Sequence, residues 1–235
     1  MSITELLILQ IMSHLLSDFT FQSEKWAKYK NEKGFKSEYL KWHVLIVFVV
    51  SWVLSFQLKF IFVSAAIAVF HLVLDGLKAA IFNHSKIKKY AFFIDQTLHI
   101  IILVVFVLIF IHLSIICPYV HLPFNKHWLL IITGYLFITK PANIFIKEVF
   151  LSYEINIGNV EVIPNAGMLI GISERILVLT LILYGQFEAV GFIIAAKSIL
   201  RFKDTDTART EYVLIGSLLS FGIAILTGIG IQMIK

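Results

Sequence analysis

Three histidine–aspartate pairs with a spacing of four residues are the part of this sequence best suited to chemistry. They are His14 and Asp18, His71 and Asp75, and Asp95 and His99. Residues four apart lie on one face of a helix, so each pair presents two polar side chains to one place. Histidine and aspartate are ligand types that suit zinc, manganese and iron. The spacing therefore predicts that several helices bring metal ligands together.

The predicted metal ligands number seven when His43 is added to these pairs. They are His14, Asp18, His43, His71, Asp75, Asp95 and His99. Because a tetrahedral zinc takes only four ligands, we expect one or two divalent ions, zinc or manganese, with any remaining residues orienting the ligating histidines. Two neighbouring ions would suit the activation of water and the binding of a phosphoryl group.

Lys78, Gln22 and Gln96 are the predicted catalytic residues. Lys78 follows Asp75 on the same helix face and is suited to bind a substrate phosphate or a carboxylate. The two glutamines are suited to orient water or a head group. Two other interpretations of the whole set stay open, namely a path for protons or ions and hydrogen bonding between packed helices.

A second group of polar residues lies in the second half of the chain. Its members are Glu174, Arg175, Lys197, Ser198, Arg201 and Glu211. Three cations nearly balance two anions, so salt bridges that pack helices together are one interpretation. The other is an anion-binding rim in which Lys197, Ser198 and Arg201 contact a phosphate. Under the anion-binding interpretation, these six residues are the predicted substrate-binding residues.

The composition is that of an integral membrane protein. Of the 235 residues, 59% are hydrophobic and 15% are charged, whereas about a quarter of the residues in soluble domains are charged. The mean hydropathy is +0.88. Since a spanning helix needs about 20 apolar residues, the chain predicts an all-α transmembrane bundle with about eight spans. They would form two four-helix halves over residues 1–120 and 121–235.

The predicted spans place the polar residues near one face of the membrane. The spans cover residues 3–21, 42–56, 60–82, 91–114, 128–150, 166–186, 188–202 and 213–233. Because cytoplasmic loops are rich in lysine and arginine, the basic segment 24–41 is expected inside and both termini outside. The histidines and aspartates then lie at cytoplasmic ends of their spans. Such loops also account for the net charge of +5, so the expected partner is the lipid bilayer and not nucleic acid.

The same motifs resemble those of the bacterial membrane proteins grouped as DUF3307. The motif residues are His14-Leu15-Leu16-Ser17-Asp18-Phe19-Thr20-Phe21-Gln22, His43, His71-x-x-x-Asp75-x-x-Lys78 and Asp95-Gln96-x-x-His99. The resemblance covers roughly residues 1–120 and implies a multi-pass protein of the bacterial inner membrane. The second half looks like the extension of longer members. In the placement of histidine and aspartate alone, the chain is also similar to membrane-bound metal-dependent hydrolases.

The favoured functional prediction is a metal-dependent hydrolase or transferase. It would act at the cytoplasmic face on a phosphate or ester of an amphiphilic, lipid-like substrate. One alternative is an ion- or proton-coupled transporter that uses the same residues, for which the Lys140-Pro141 kink would be suited. The other is a membrane sensor or assembly partner without enzymatic activity, docking through segment 24–41.

Overall fold

The described part of the chain folds mainly into α-helices. This computed structural model describes residues 1–82, 88–113, 125–155, 165–199 and 207–234, and these ranges contain no strand. The helices are α1 (Ile3–Leu15), α2 (Glu24–Lys33), α3 (Glu38–Ser55), α4 (Ile61–Phe82), α5 (Ala91–Leu113), α6 (Lys126–Ile138), α7 (Lys140–Ser152), α8 (Ala166–Leu183), α9 (Phe187–Ile199) and α10 (Thr207–Met233). The predicted all-α class is confirmed.

The helices belong to two compact units, Met1–Leu129 and Leu130–Lys235. In the first unit, α3 packs against α1 and α4, and α5 packs against α1 and α4. The apolar core between these four helices consists of Leu6, Val47, Phe60, Ile67, Ala68, Leu103, Val107 and Phe110. Aromatic packing contributes to it, because the Phe60 and Phe110 rings meet edge to face with centroids 4.9 Å apart.

The short helix α2 is held against α3 and α4 of the first unit. It begins after Ser23, whose side chain accepts a hydrogen bond from the Trp26 backbone, and it ends at Gly34, where φ is +52°. Phe35 then packs against Gly76 of α4. A Cβ atom at Gly76 would lie only 2.2 Å from that ring, so this contact requires glycine and fixes α2 against the last turns of α4.

The second unit is built around the contact between α8 and α10. Its apolar core includes Val178, Ile182, Val190, Phe221 and Ala224. The two helices approach closely at Gly228, where a Cβ atom would lie 2.5 Å from the Ile182 side chain. A small residue at such a crossing allows the backbones to pack tightly, as is typical of helices within membranes.

Several helices of the chain are long and apolar enough to span a membrane. They cover Glu38–Ser55, Leu58–Lys78, Lys88–Leu113, Ala166–Leu183 and Thr210–Met233. A sixth span arises if α6 and α7, which are bent by 44° at their junction, are taken as one broken span. The chain is therefore a multi-pass membrane protein.

The number of spans differs from the sequence-based expectation of about eight. Helices α1 and α9, which correspond to the predicted spans 3–21 and 188–202, have 13 residues each. At 1.5 Å per residue this is about 20 Å, less than the hydrocarbon core of about 30 Å. A π-helical segment, Leu16–Thr20, extends α1. Length and composition of the described helices thus support five or six spans, and a count of eight stays a prediction.

Candidate metal centre

Four helices of the first unit bring all seven predicted metal ligands together at one end of the bundle. His14 lies in the last turn of α1, and Asp18 lies in the π-helical segment that follows it. His43 is near the start of α3, whereas α5 carries Asp95 and His99 near its own start. The pair from α4 is His71 and Asp75. The side chains of all seven are 6% exposed or less.

Four of these side chains form an inner quartet of ligand atoms: His43 Nε2, His71 Nε2, Asp18 Oδ1 and Asp75 Oδ2. The two histidine nitrogens are 2.8 Å apart. Asp18 Oδ1 lies 3.5 Å from His43 Nε2 and 3.6 Å from His71 Nε2. Asp75 Oδ2 lies 3.5 and 3.3 Å from the same two nitrogens.

The distances that the two histidine nitrogens make within the inner quartet fit a bound metal ion. Bonds of about 2.0–2.1 Å in tetrahedral geometry place the ligand atoms of zinc about 3.3 Å from one another, and the five distances that involve a histidine nitrogen lie between 2.8 and 3.6 Å. His43, His71 and Asp75 form a first group able to hold an ion. Asp18 Oδ1 is buried without a hydrogen-bond partner among the described residues. A cation would satisfy this oxygen, so the donor set is suited to zinc or to a similar divalent ion.

His99 is oriented as metal-binding histidines commonly are. Its Nδ1 donates a hydrogen bond to the backbone carbonyl of Asp95, at 2.8 Å. The other ring nitrogen, Nε2, is buried without a hydrogen-bond partner in the described part of the chain, and it lies 3.9 Å from Asp75 Oδ1. A backbone carbonyl that holds one ring nitrogen leaves the lone pair of the other free for a metal. Asp75, Asp95 and His99 thus form a second group able to hold an ion.

His14 is oriented by a predicted catalytic residue. Its Nε2 donates to the Gln96 side-chain oxygen at 3.1 Å, because an amide oxygen can only accept. The other nitrogen, Nδ1, faces Asp18 Oδ1 at 3.7 Å. Gln96 also donates to Asp95 Oδ2 at 3.4 Å. Gln96 therefore joins two predicted ligands, and His14, Asp18 and His71 form a third group able to hold an ion.

One buried lysine and one partly buried lysine border the cluster. Lys78, a predicted catalytic residue, pairs with Asp95 Oδ2 at 2.9 Å. Lys30 of α2 pairs with Asp75 Oδ2 at 2.6 Å and is the one buried residue of that helix. Gln22, with its amide oriented to satisfy both neighbours, accepts from Lys30 at 3.0 Å and donates to the Asp18 carbonyl at 3.3 Å. All three predicted catalytic residues thus contact the cluster.

Lys30 is the residue of this site that sequence reasoning missed. It is one of six lysines in segment 24–41, a segment that resembles a solvated basic loop. The available signal was helical spacing: on an amphipathic surface helix, Lys30 falls on the face of Trp26 and Ala27. Both of these neighbours are partly buried, whereas Lys28 and Tyr29 are exposed.

A second polar layer, also missed, lies deeper in the bundle. Gln10, one helical turn before His14, donates to the Ser51 backbone carbonyl at 3.0 Å. The Ser51 hydroxyl donates to the Gln10 side-chain oxygen at 2.7 Å and lies 3.1 Å from the Ser64 hydroxyl. All three residues are buried. Serines in apolar segments are inconspicuous in a sequence, because they also bond to their own helix backbone.

The predicted substrate-binding residues of the second unit have separate partners. Glu174 and Lys197 form an ion pair, and the Lys197 ammonium lies 5.2 Å from the centre of the Phe221 ring. The Ser198 hydroxyl bonds to the Ile194 carbonyl of its own helix. Glu211 is exposed, and Arg201 lies outside the described residues. A common anion-binding rim stays a prediction.

Arg175, the remaining member of that set, binds the break between α6 and α7. Its Nε donates to the Ile138 carbonyl at 2.6 Å, and its Nη2 donates to the Thr139 carbonyl at 3.5 Å. Further bonds go to Ser220 and Asn143. Arg175 is 1% exposed. The guanidinium thus satisfies carbonyls at a helix end next to Pro141, where the regular hydrogen-bond ladder is interrupted.

Comparison with known proteins gives one match. The family model described as protein of unknown function (DUF3307) matches residues 6–131, more than half of the chain. The matched segment contains all seven predicted metal ligands, the three predicted catalytic residues and Lys30. No curated protein and no solved structure matches significantly. The chain belongs to the DUF3307 family.

Proposed function

We propose that this protein is a membrane-embedded, metal-dependent hydrolase or transferase. Its substrate would be a phosphate or ester of an amphiphilic, lipid-like molecule. The observation that carries the proposal is the inner quartet, in which two imidazole nitrogens lie 2.8 Å apart and each of two carboxylate oxygens lies 3.3 to 3.6 Å from both nitrogens. Ionisable groups at this depth in a membrane protein are expensive unless they pair or bind an ion.

The ligands would hold one or two zinc or manganese ions. The inner quartet would hold the first ion. Asp75 also belongs to the group with Asp95 and His99, so it could bridge to a second. A bound ion would polarise the phosphoryl or carbonyl oxygen of the substrate and favour ionisation of a bound water.

The residues around the ligands would orient them and contact the substrate. The Gln96 side chain and the Asp95 carbonyl hold His14 and His99 in the ring orientation that metal binding needs. Lys78 supplies a positive charge at the edge of the cluster, 2.9 Å from Asp95, and would contact a negatively charged group of the substrate. Burial of the cluster limits the access of bulk water and strengthens these electrostatic contacts.

The depth of the cluster supports an amphiphilic substrate. His43 lies five residues after the start of α3 and His99 eight residues after the start of α5, which is about 8 and 12 Å along the helix axes. A lipid-like molecule can bring its head group to this depth while its chains remain in the hydrocarbon. We place the protein in the bacterial inner membrane, with the cluster on the cytoplasmic side and both termini outside.

The metal content of the full chain tests this proposal. Purified in detergent and analysed by inductively coupled plasma mass spectrometry, the wild type should carry one or two divalent ions per chain. His71→Ala and Asp75→Ala should both lose them. His112→Ala, which removes an exposed histidine of α5, is the matched control and should retain the wild-type content. Metal-free wild-type protein that no added zinc or manganese stabilises would refute the proposal.

The alternative is an ion- or proton-coupled transporter. The hydrogen-bonded layer of Gln10, Ser51 and Ser64 supports it, because it extends the buried polar groups beyond the metal ligands toward the other end of the bundle. Transport predicts pH- or ion-driven flux in proteoliposomes, and Ser51→Ala should reduce that flux by breaking the layer. Absence of flux in the wild type would exclude this alternative.

A further inference from the structure

The charges of the cluster change sign when it binds a metal ion. Its three carboxylates are Asp18, Asp75 and Asp95, and its two ammonium groups are those of Lys30, which is buried, and Lys78, which is partly buried. Because ligating histidines are neutral, the metal-free cluster has a net charge of −1. One divalent ion changes this to +1, and two ions change it to +3.

A buried positive excess requires an anion. Charges taken out of water are strongly destabilising unless they are paired, and the metal-free cluster already uses its carboxylates to pair both lysines. A neutral carboxylic ester brings no charge to offset the metal, whereas a phosphate group brings one or two negative charges. The charge balance therefore favours a phosphate-bearing substrate.

Lys30 stands at the position where that phosphate would be bound. Its Nζ lies 2.6 Å from Asp75 Oδ2, and this same oxygen faces His43 and His71 at 3.5 and 3.3 Å. An ion held by these three ligand atoms would draw the carboxylate charge away from Lys30. The ammonium group would then lie beside the ion with a positive charge available to a substrate oxygen.

We propose that Lys30 is a substrate-binding residue and that the site takes phosphoesters in preference to carboxylic esters. This inference rests on the metal-dependent function proposed above. The other lysines of α2 do not share this position, since Lys30 is the buried residue of that helix. The Phe35–Gly76 contact, immediately after α2, keeps the helix against the cluster.

Coupling between metal and phosphate binding tests the inference. Zn²⁺ is titrated calorimetrically into the detergent-purified full chain, alone, with methylphosphonate, or with the neutral ester methyl acetate, at equal ionic strength. In the wild type, methylphosphonate should tighten the apparent Kd of Zn²⁺ about tenfold, a typical coupling between sites, and methyl acetate should have little effect. A parallel titration with short-chain phosphatidic acid, used as a monomer, separates a lipid head group from a soluble phosphoester. If phosphatidic acid tightens Zn²⁺ binding more than methylphosphonate does, the substrate is assigned as a lipid. If the two tighten it equally, the substrate is assigned as a soluble phosphoester.

Variants at Lys30 decide whether this residue carries the coupling. Lys30→Gln should bind Zn²⁺ alone at least as tightly as the wild type and lose the effect of methylphosphonate. Lys30→Arg should keep the effect and covers the case in which the glutamine variant fails to fold. Lys25→Gln, which removes an exposed charge from the same helix, is the matched control.

Failure of this inference can be distinguished from failure of the proposed function. If Zn²⁺ binds the wild type but methylphosphonate leaves its affinity unchanged, or acts equally in Lys30→Gln, the inference is wrong and the metal site stands. If no Zn²⁺ binds with or without methylphosphonate, the proposed function itself fails.

Discussion

At the scale of single residues, the candidate metal centre contains side chains that orient other side chains. Gln96 accepts from His14 Nε2 at 3.1 Å and so directs Nδ1 of that ring toward Asp18. Groups of this kind would not bind the metal themselves, but they fix the orientation of a histidine ring that would bind it. Their removal should weaken metal binding without abolishing it, which distinguishes them from the ligands themselves.

Gln96→Ala is the corresponding prediction. Without the amide, the His14 ring is free to rotate, so the affinity for Zn²⁺ should fall by about 10- to 100-fold while the fold is kept. The measurement is calorimetric titration of the detergent-purified protein. Thr97→Val, next to it on an exposed face of α5, should leave the affinity unchanged. An affinity equal to that of the wild type in Gln96→Ala would show that Gln96 does not orient a ligand.

The grouping of the predicted ligands was readable from the sequence because it depends on local spacing. His71 and Asp75 are four apart on one helix, and such a pair shares a face wherever that helix packs. Lys30 was not readable in this way. It reaches the cluster through the contact of Phe35 with Gly76, residues that lie 41 positions apart in the chain, and no pattern within segment 24–41 encodes that contact.

At the scale of elements, the broken helix of the second unit depends on Arg175. Sequence reasoning expected a kink at Pro141 but assigned Arg175 to a salt bridge or to substrate binding. The structure shows its guanidinium on the Ile138 and Thr139 carbonyls. The kink was predictable because proline removes a backbone donor, whereas the partner for the freed carbonyls comes from another helix and depends on tertiary packing.

Arg175→Leu should therefore destabilise the second unit strongly. Each buried carbonyl left without a donor costs about 1–3 kcal/mol, so a loss of about 3 kcal/mol is expected from the two carbonyls together. Arg175→Lys should recover only part of the lost stability, since a single ammonium group cannot replace the planar set of donors on the guanidinium. Thermal unfolding in detergent is the measurement.

The matched control for that variant is Glu174→Gln, which breaks the partly exposed pair with Lys197. Exposed ion pairs contribute about 0–1 kcal/mol, so its unfolding temperature should stay near that of the wild type. A larger loss in Glu174→Gln than in Arg175→Leu would reverse the roles assigned to the two residues.

At the scale of the whole molecule, the basic residues near α2 define an orientation in the membrane. Lys25, Lys28 and Lys33 are exposed on this helix, at the same end of the first unit as the metal ligands. Because positive residues concentrate on the cytoplasmic side, Lys25→Cys in a Cys117→Ser background should react with an impermeant maleimide in inverted vesicles. The same variant should be protected in right-side-out vesicles. Labelling only in right-side-out vesicles would place the cluster on the outer face.

The family match and the division into two units end at nearly the same place in the chain. The match covers residues 6–131, and the first unit ends at Leu129. Every predicted metal ligand and the whole apolar core around Leu6, Val107 and Phe110 lie within these limits. The number of spans is less readable at this scale, since the apolar segments 3–21 and 188–202 look like spans in the sequence while α1 and α9 within them have 13 residues each.

A fragment of residues 1–125, which ends before α6 begins, should consequently fold and bind metal without the second unit. The apolar core and the described contacts that orient the predicted ligands lie within these residues. The fragment, purified in detergent, should carry the same number of ions per chain as the full-length protein and lose them in His71→Ala. If the fragment is folded, as judged by circular dichroism and a cooperative thermal transition, yet metal-free while the full chain is loaded, then residues beyond 125 must complete the metal centre.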